Sequence, residues 1–431
     1  MGFPMPLVMT MQPPIPLRRL ILLLALLVPV SGVMAADAGP DEAATDSAIS
    51  SPSLTLPGVV TEALQRDPNG VLTDAYIAEA RALDRHASSL IAGNPVVALH
   101  YFSDQMRTNQ GFHEWEGSVE LPLWHLGQRS ASRDVADSAA QAATAAGKVQ
   151  RLRVAGAVRE ALWDLVITQE RRTLAEQSLQ TARQLEQDVE KRVNAGDLAK
   201  SDLLLARDET LLKQDDFYLA NAESLHAQKR YRMLTGLAEY PASFSEQLSG
   251  QTVIDDQHPL LAELRARMEQ AQADLRRAEK SSSDNTQLIV GTRRTRDSYS
   301  SENVDSVGIG VRIPIGTSSH NGPRIAAAST AFAESQARYE RAKRELELAL
   351  HEAHHNLETL REQLKLADEE NTIMQESLRM ARTAFRTGEI DLAQLLRIQS
   401  RAFNAERNLA VRKLEVEQAV ARYNQAIGVT P

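Results

Sequence analysis

Residues 123–240 and 324–430 contain no proline. This constrains the fold more than any other feature, because a proline inside a helix removes a backbone hydrogen bond and clashes with the preceding turn. Both stretches are rich in Ala, Leu, Glu, Gln and Arg, the strong helix formers. Uninterrupted runs so far beyond the usual helix length indicate a coiled coil, a membrane protein or a repeat architecture. The chain is 43% hydrophobic but only 4% aromatic, so no thick core built on large rings is available to it. It has no cysteine, which excludes disulfide frameworks, thiolate metal sites, cysteine nucleophiles and a lipoprotein thiol. A net charge of −9 argues against a nucleic-acid binder, which would be basic.

The two helical stretches are copies of one another. Gly196 and Gly388 lie 192 residues apart, as do Leu203-Leu204 and Leu395-Leu396, Tyr231 and Tyr423, Gly236 and Gly428, and Pro122 and Pro314. Asp67-Pro68 answers His258-Pro259 at an offset of 191. Each half therefore reads as an amphipathic helix, two strands, a long helix, a turn and a returning helix. At about 1.5 Å per residue, the long helix expected over 129–193 is about 98 Å, the return over 198–234 about 55 Å and the leading helix over 59–91 about 50 Å. Two shorter helices laid end to end would match one long helix.

Arg18 and Arg19 precede an apolar run at 20–30, and Ala35 closes a small-residue stretch. This is the pattern of a secretory signal, with cleavage expected after Ala35. Residues 36–53, rich in Asp, Ala, Ser and Pro, read as a linker. The expected organisation is a signal over 1–35, a linker over 36–53, a first repeat over 54–240, a connector over 241–257 and a second repeat over 258–431.

Between the helices, Trp115, Gly117, Val119, Leu121 and Leu123 alternate with Glu114, Glu116, Ser118, Glu120 and Pro122. In the second half Val307, Ile309, Val311, Ile313 and Ile315 alternate with Ser306, Gly308, Gly310, Arg312 and Pro314. Such strands carry one apolar and one polar face. Nine residues extend about 30 Å, near the height of the apolar band of an outer-membrane barrel. Weaker partners lie at 97–101 and 286–294, joined through polar loops at 103–112 and 295–303. A soluble sheet with one buried face would alternate identically; the signal and the flanking helices favour the membrane. Four strands cannot close a barrel, so several chains must share one.

The helix turns carry the specific motifs. Asn194-Ala195-Gly196-Asp197-Leu198 is followed by Ser201-Asp202-Leu203-Leu204, and Arg386-Thr387-Gly388-Glu389-Ile390 by Leu395-Leu396. With the repeat and the strands, these resemble the TolC-like outer-membrane efflux family over nearly all of the chain after the linker. Gly93-Asn94-Pro95, and Glu120-Leu121-Pro122-Leu123-Trp124 with Gly127-Gln128-Arg129, resemble the CzcC-like heavy-metal-efflux branch most. The resemblance implies a mainly α fold with a small β part. Three chains would form a trimeric 12-stranded outer-membrane β-barrel continuous with a periplasmic α-helical barrel. It implies a passive export duct in the outer membrane of a Gram-negative bacterium, docked to a periplasmic adaptor and an inner-membrane RND-type pump, with heavy-metal cations as the expected cargo. A duct for drugs or secreted proteins is the alternative; a soluble periplasmic coiled-coil scaffold explains the helices but not the strands.

The resemblance places adaptor contacts at Gly196, Asp197, Leu198, Gly388, Glu389 and Ile390. Periplasmic gate positions fall at Asp202 and Gln394. The family's type member has an acid at the position of Gln394, and Arg397 likewise replaces an acid of that member, which argues against a double acidic ring. Glu114, Glu116 and Glu120 are expected to face the barrel lumen, offset by Arg312 and Arg293. His351-Glu352-Ala353-His354-His355 satisfies the H-E-x-x-H pattern of zinc peptidases. Its counterpart in the first half is Arg159-Glu160-Ala161-Leu162-Trp163, so the segment belongs to the repeat scaffold and no third ligand motif follows it. No enzyme activity, resident metal or cofactor is expected, and these histidines read as a solvated helix face.

Overall fold

The computed structural model describes residues 49–281, 284–316 and 318–431. The expected signal over 1–35 and linker residues 36–48 lie outside them. The described residues belong to one unit, Asp46–Pro431. Its elements are β1 (Ile49–Ser51), α1 (Leu56–Arg66), α2 (Gly70–Ser88), β2 (Val96–Ser103), β3 (His113–Pro122), α3 (Gln128–Asn194), α4 (Lys200–Thr235) and β4 (Glu239–Pro241). They continue with α5 (Pro259–Lys280), β5 (Gln287–Arg296), β6 (Val304–Arg312), α6 (Ser318–Thr387) and α7 (Leu392–Ala426). The run α2-β2-β3-α3-α4 is repeated as α5-β5-β6-α6-α7, and only β1, α1 and β4 have no counterpart. Among the described residues no helix is long and apolar enough to cross a membrane.

The fold is mainly α with a small β part, as expected. α3 has 67 residues and α6 has 70, or about 100 and 105 Å at 1.5 Å per residue. α4 packs along the half of α3 nearest their shared turn, where Arg230 pairs with Asp164. α2 packs along the other half: Thr73 Oγ1 donates to Gln150 Oε1 at 2.7 Å and Arg129 donates to the carbonyls of Ala87 and Ser88. The seams are made of small residues. Ala131, Ala136, Ala139, Ala142 and Ala143 of α3 are all buried, which lets backbones approach closely and explains the scarcity of aromatics.

The leading helix expected over 59–91 is two helices. Pro68 lacks a donor and restricts the residue before it. Asp67 stops α1, and its carboxylate accepts from the backbone and side chain of Asn69. α1 then turns to cover the middle of α3: Leu56, Val59, Val60 and Ala63 bury against Val154, Val158, Leu162, Leu165 and Tyr231. Burial pushes the Tyr231 phenol up to about 12, so it stays a donor, to the Glu239 carbonyl at 2.8 Å. Order also begins earlier than residue 54, because β1 pairs in parallel with β4. That pairing uses backbone groups only, so the Ser-rich composition gave no sign of it.

The same equatorial level holds the C-terminus. Gly428, at φ 86°, reverses the chain after α7 against His258, which leaves no room for a Cβ. His258 begins α5, its Nδ1 accepting from the Leu260 N–H at 3.2 Å. Burial depresses its pKa below the ordinary value of 6.5. The folded state therefore holds neutral His258, and its contribution is complete above about pH 6.5 and is lost as pH falls, because the unfolded chain takes up the proton first. Thermal stability should accordingly decline between about pH 7 and 5. His258→Asn, which can still cap the helix but cannot titrate, should flatten that decline. An unchanged pH profile in the variant would remove His258 as its source.

Candidate functional site

Two regions stand out: a sheet with one uncovered face, and a pair of helical turns at the other end of the long helices. The sheet has the order β2-β3-β5-β6, antiparallel throughout. Its register places Glu114 opposite Phe102 and Thr295, Glu116 opposite His100 and Arg293, and Glu120 opposite Val96 and Ile289, while Arg312 lies opposite Gln287. Since side chains alternate along a strand, Glu114, Glu116, Glu120, Arg293 and Arg312 share one face. They engage one another there. Arg312 donates to both oxygens of Glu120 at 2.7 and 3.1 Å, and Arg293 lies 3.7 Å from Glu114 and 3.9 Å from Glu116. Three carboxylates thus meet two guanidiniums.

The opposite face is uncovered and apolar except near its loop end, where Arg294 pairs with Asp305 at 2.6 Å beside Trp115. Val97, Leu99, Val307, Ile309 and Val311 are exposed, Ile309 by 77%. Near the loop end Tyr101 and Trp115 pack together with ring centroids 4.5 Å apart. Phe102 is on the polar face, stacked on His100. The single-residue step between Tyr101 and Phe102 decides this, since it reverses the side-chain direction. Beyond the strands the two loops are tied together: the Tyr299 N–H donates to the Gln110 carbonyl, and its hydroxyl donates to Asn109 Oδ1 at 2.9 Å.

At the far end, α3 and α4 join through Gly196 (φ 85°), and α6 and α7 through Gly388 (φ 78°). The turns are alike. The Asp197 N–H donates to the Arg192 carbonyl at 2.9 Å and the Glu389 N–H to that of Ala384 at 2.8 Å, the bonding that closes a helix through a left-handed residue. No atom lies within 4 Å of where a Cβ would stand at either glycine, so the need for glycine is a backbone need alone. Gly196→Ala and Gly388→Ala should each cost about 1–2 kcal/mol, seen as faster proteolysis at the altered turn; unchanged cleavage at both would contradict this.

The expected contact residues divide at these turns. Asp197 and Glu389 are exposed. Leu198 and Ile390 are only half-exposed, because each packs on a cluster formed by Val189, Ala206, Leu378, Phe385, Leu392 and Leu395. Asp202 caps its own helix, its carboxylate accepting from the Ala199 N–H at 3.2 Å. In the second turn Gln394 is exposed and its N–H is bound by Asp391, at 2.7 Å. The carboxylate that a helix N-terminus favours comes from the fourth residue in one repeat and from the first in the other.

The sequence did not reveal a groove of about 1010 Å³ between α3 and α6 beside these turns. Lys191, Arg192, Arg379, Arg382 and Arg386 line it, with Asp188, and the Arg192 guanidinium lies 5.1 Å from the Phe385 ring centroid. The spacing of Arg379, Arg382 and Arg386 on one helical face was the available signal. Also unforeseen is the lock at the equator. Arg159, 2% exposed, grips Glu246 through two bonds of 2.7 and 2.6 Å and donates to Gln425 Oε1 and the Val429 carbonyl. Its neighbour Glu160 accepts from Arg422 of α7 at 2.7 Å. His351 and Glu352, the repeat counterparts, are exposed on α6, as is His355. Among the described residues, no group of three or more His, Asp or Glu is arranged to hold a metal.

Residues 254–429 match the family model described as outer membrane efflux protein. This stretch covers the second repeat, whose element order the first repeat shares. Among curated proteins none matches the chain at the sequence level. Solved structures share the fold. The outer membrane protein VceC from Vibrio cholerae is 16% identical at a TM-score of 0.68, over 86% of this chain and 96% of that one. The Campylobacter jejuni outer membrane channel CmeC is 15% identical at 0.68, over 86% and 85% of the two chains. CusC is 17% identical at 0.68, over 86% and 92%.

Proposed function

We propose that this chain is a passive outer-membrane efflux channel, a member of the outer membrane efflux family over both its repeats, working as the exit duct of a tripartite pump. One observation carries the reading. A sheet with an uncovered apolar face and a charged opposite face leads directly into two helices of 67 and 70 residues. An apolar sheet face of this height suits lipid, and helices near 100 Å suit the crossing of a periplasm. Nothing in such a tube calls for catalysis.

The partners follow from what the chain leaves unsatisfied. β2 and β6 are the outer strands of an open sheet, and open edges are not tolerated in lipid. Pairing β6 of one chain with β2 of the next, three times over, closes a barrel. The helices carry a matching seam. Leu204, Leu211, Tyr218 and Leu225 are exposed at seven-residue steps on α4, and Leu366, Ile373 and Met380 on α6. Sustained heptads of this kind pack against another helix. A homotrimer is thus the assembly that uses both features. The turns around Gly196, Asp197, Leu198 and Gly388, Glu389, Ile390 would meet a periplasmic adaptor, coupling the duct to an inner-membrane RND-type pump, with Asp202 and Gln394 at the periplasmic constriction. The basic groove beside them suits an acidic helical partner.

Heavy-metal cations are the cargo we assign. Glu114, Glu116 and Glu120 outnumber Arg293 and Arg312 on the charged face, and carboxylate rings in pores favour cations. Outer-membrane fractionation followed by heat-modifiable electrophoresis tests the channel: a trimer in the outer-membrane fraction is expected, and a soluble monomer would overturn it. Reversal potentials in planar bilayers test the cargo class. Cation preference should fall when Glu114, Glu116 and Glu120 are changed to Gln; equal permeability to both signs in the parent channel would exclude it.

A further inference from the structure

We propose that His351 and His355 form a two-imidazole clip on α6 for a divalent transition cation such as Zn²⁺, Cu²⁺ or Ni²⁺. Residues four apart on a helix stand on one face about 6 Å apart, within reach of a single ion for two imidazoles. Both are exposed, and neither makes a hydrogen bond or ion pair within the chain. The third histidine of the segment is already engaged: His354 Nε2 lies 3.3 Å from Glu358, and its ring lies 6.1 Å from that of Tyr423. Leu350 and Leu357 are buried and Ala353 is half-buried, so they mark the seam side of α6. At 100° per residue His351 and His355 fall on the opposite side. The helix itself fixes their spacing, since both sit deep within its 70 residues.

The repeat comparison separates this pair from scaffold. The first-half counterparts, Arg159 and Trp163, are buried at 2% and 4% exposure and have structural work: Arg159 holds Glu246, and Trp163 packs on Phe244 with ring centroids 4.6 Å apart. His351 and His355 have no such work, so packing does not require imidazoles there. Because no group of three acidic or histidine ligands surrounds them among the described residues, water must complete the coordination. Nitrogen ligands favour Zn²⁺, Cu²⁺ and Ni²⁺ over Mg²⁺ and Ca²⁺, and a site with only two protein ligands exchanges its ion readily. The pair lies on the side of α6 that also carries Leu366, Ile373 and Met380, so in the proposed trimer the clip would stand beside the seam with a neighbouring chain; its existence does not rest on the duct reading.

The test uses the full-length, untagged protein in detergent, with Cu²⁺ as probe. Cu²⁺ titration followed by electron paramagnetic resonance should show two coupled nitrogen ligands and one ion per chain. His351→Gln and His355→Gln, each checked for an unchanged electrophoretic assembly state, should abolish the two-nitrogen signal. His354→Gln and Glu352→Gln should retain it. A two-nitrogen signal that survives both single substitutions, or no saturable binding in the parent protein, overturns the proposal. Either result leaves the fractionation outcome untouched, so failure of the clip and failure of the channel reading are read separately.

Discussion

Arg159→Met should be the most damaging single substitution away from the membrane. It leaves Glu246 with its side chain 13% exposed and without the guanidinium that neutralises it. Breaking a buried ion pair from one side costs about 3–5 kcal/mol. The damage would also spread, because the same guanidinium holds Gln425 and the Val429 carbonyl. Asn424, next to Gln425, in turn binds the connector through the Gln247 carbonyl and the Ser249 N–H. Losing Arg159 therefore frees the C-terminus and the connector together. The expected readout is a lower temperature of loss of the folded, heat-modifiable form and early proteolysis within 242–258. Arg159→Met with Glu246→Leu should recover much of the loss, since replacing both charges removes the orphaned one. If the double variant is no better than the single, the pair is not the origin of the effect.

Ile309→Arg should block insertion, whereas Ser306→Arg should not. The two positions lie three apart on β6 and therefore on opposite faces. Ile309 is 77% exposed on the uncovered apolar face, whereas Ser306 lies opposite Arg293 on the charged face. An arginine facing lipid at mid-depth costs about 2–4 kcal/mol, and a three-chain barrel would bear it three times. The measurement is the amount of protein in the outer-membrane fraction at matched expression. Equal insertion of both variants would mean that the apolar face does not meet lipid.

Much of this was legible before the structure, for physical reasons that differ by element. The long helices were visible because Pro and Gly are almost absent from α3 and α4, and the strands because period-two alternation in β3 and β6 is unbroken. Both are local signals. The break at Pro68 was missed because a proline can open a helix or end one, and only the burial of α1 against Val158 and Leu162 shows that a separate helix precedes it. The equatorial lock was hidden because Arg159 and Glu246 are far apart in sequence and neither belongs to a motif. At the turns, the sequence located Gly196 and Gly388 but not the packing of Leu198 and Ile390 on the chain's own cluster. Apolar residues at a tip look equally suited to a partner and to the chain's own cluster.

The different capping of the two turns has a consequence for symmetry. Asp202 serves one helix from its fourth residue, with Ala199 at the first; Asp391 serves the other from its first, with Gln394 at the fourth. Lys200 and Leu392 then occupy equivalent places. The duplicated backbone thus offers two similar shapes carrying different charge patterns. In a threefold assembly six tips would alternate around the ring, sixfold in outline and threefold in chemistry. A partner arriving as six identical copies would meet two kinds of site in turn, and register between the two proteins would be set by charge rather than by shape.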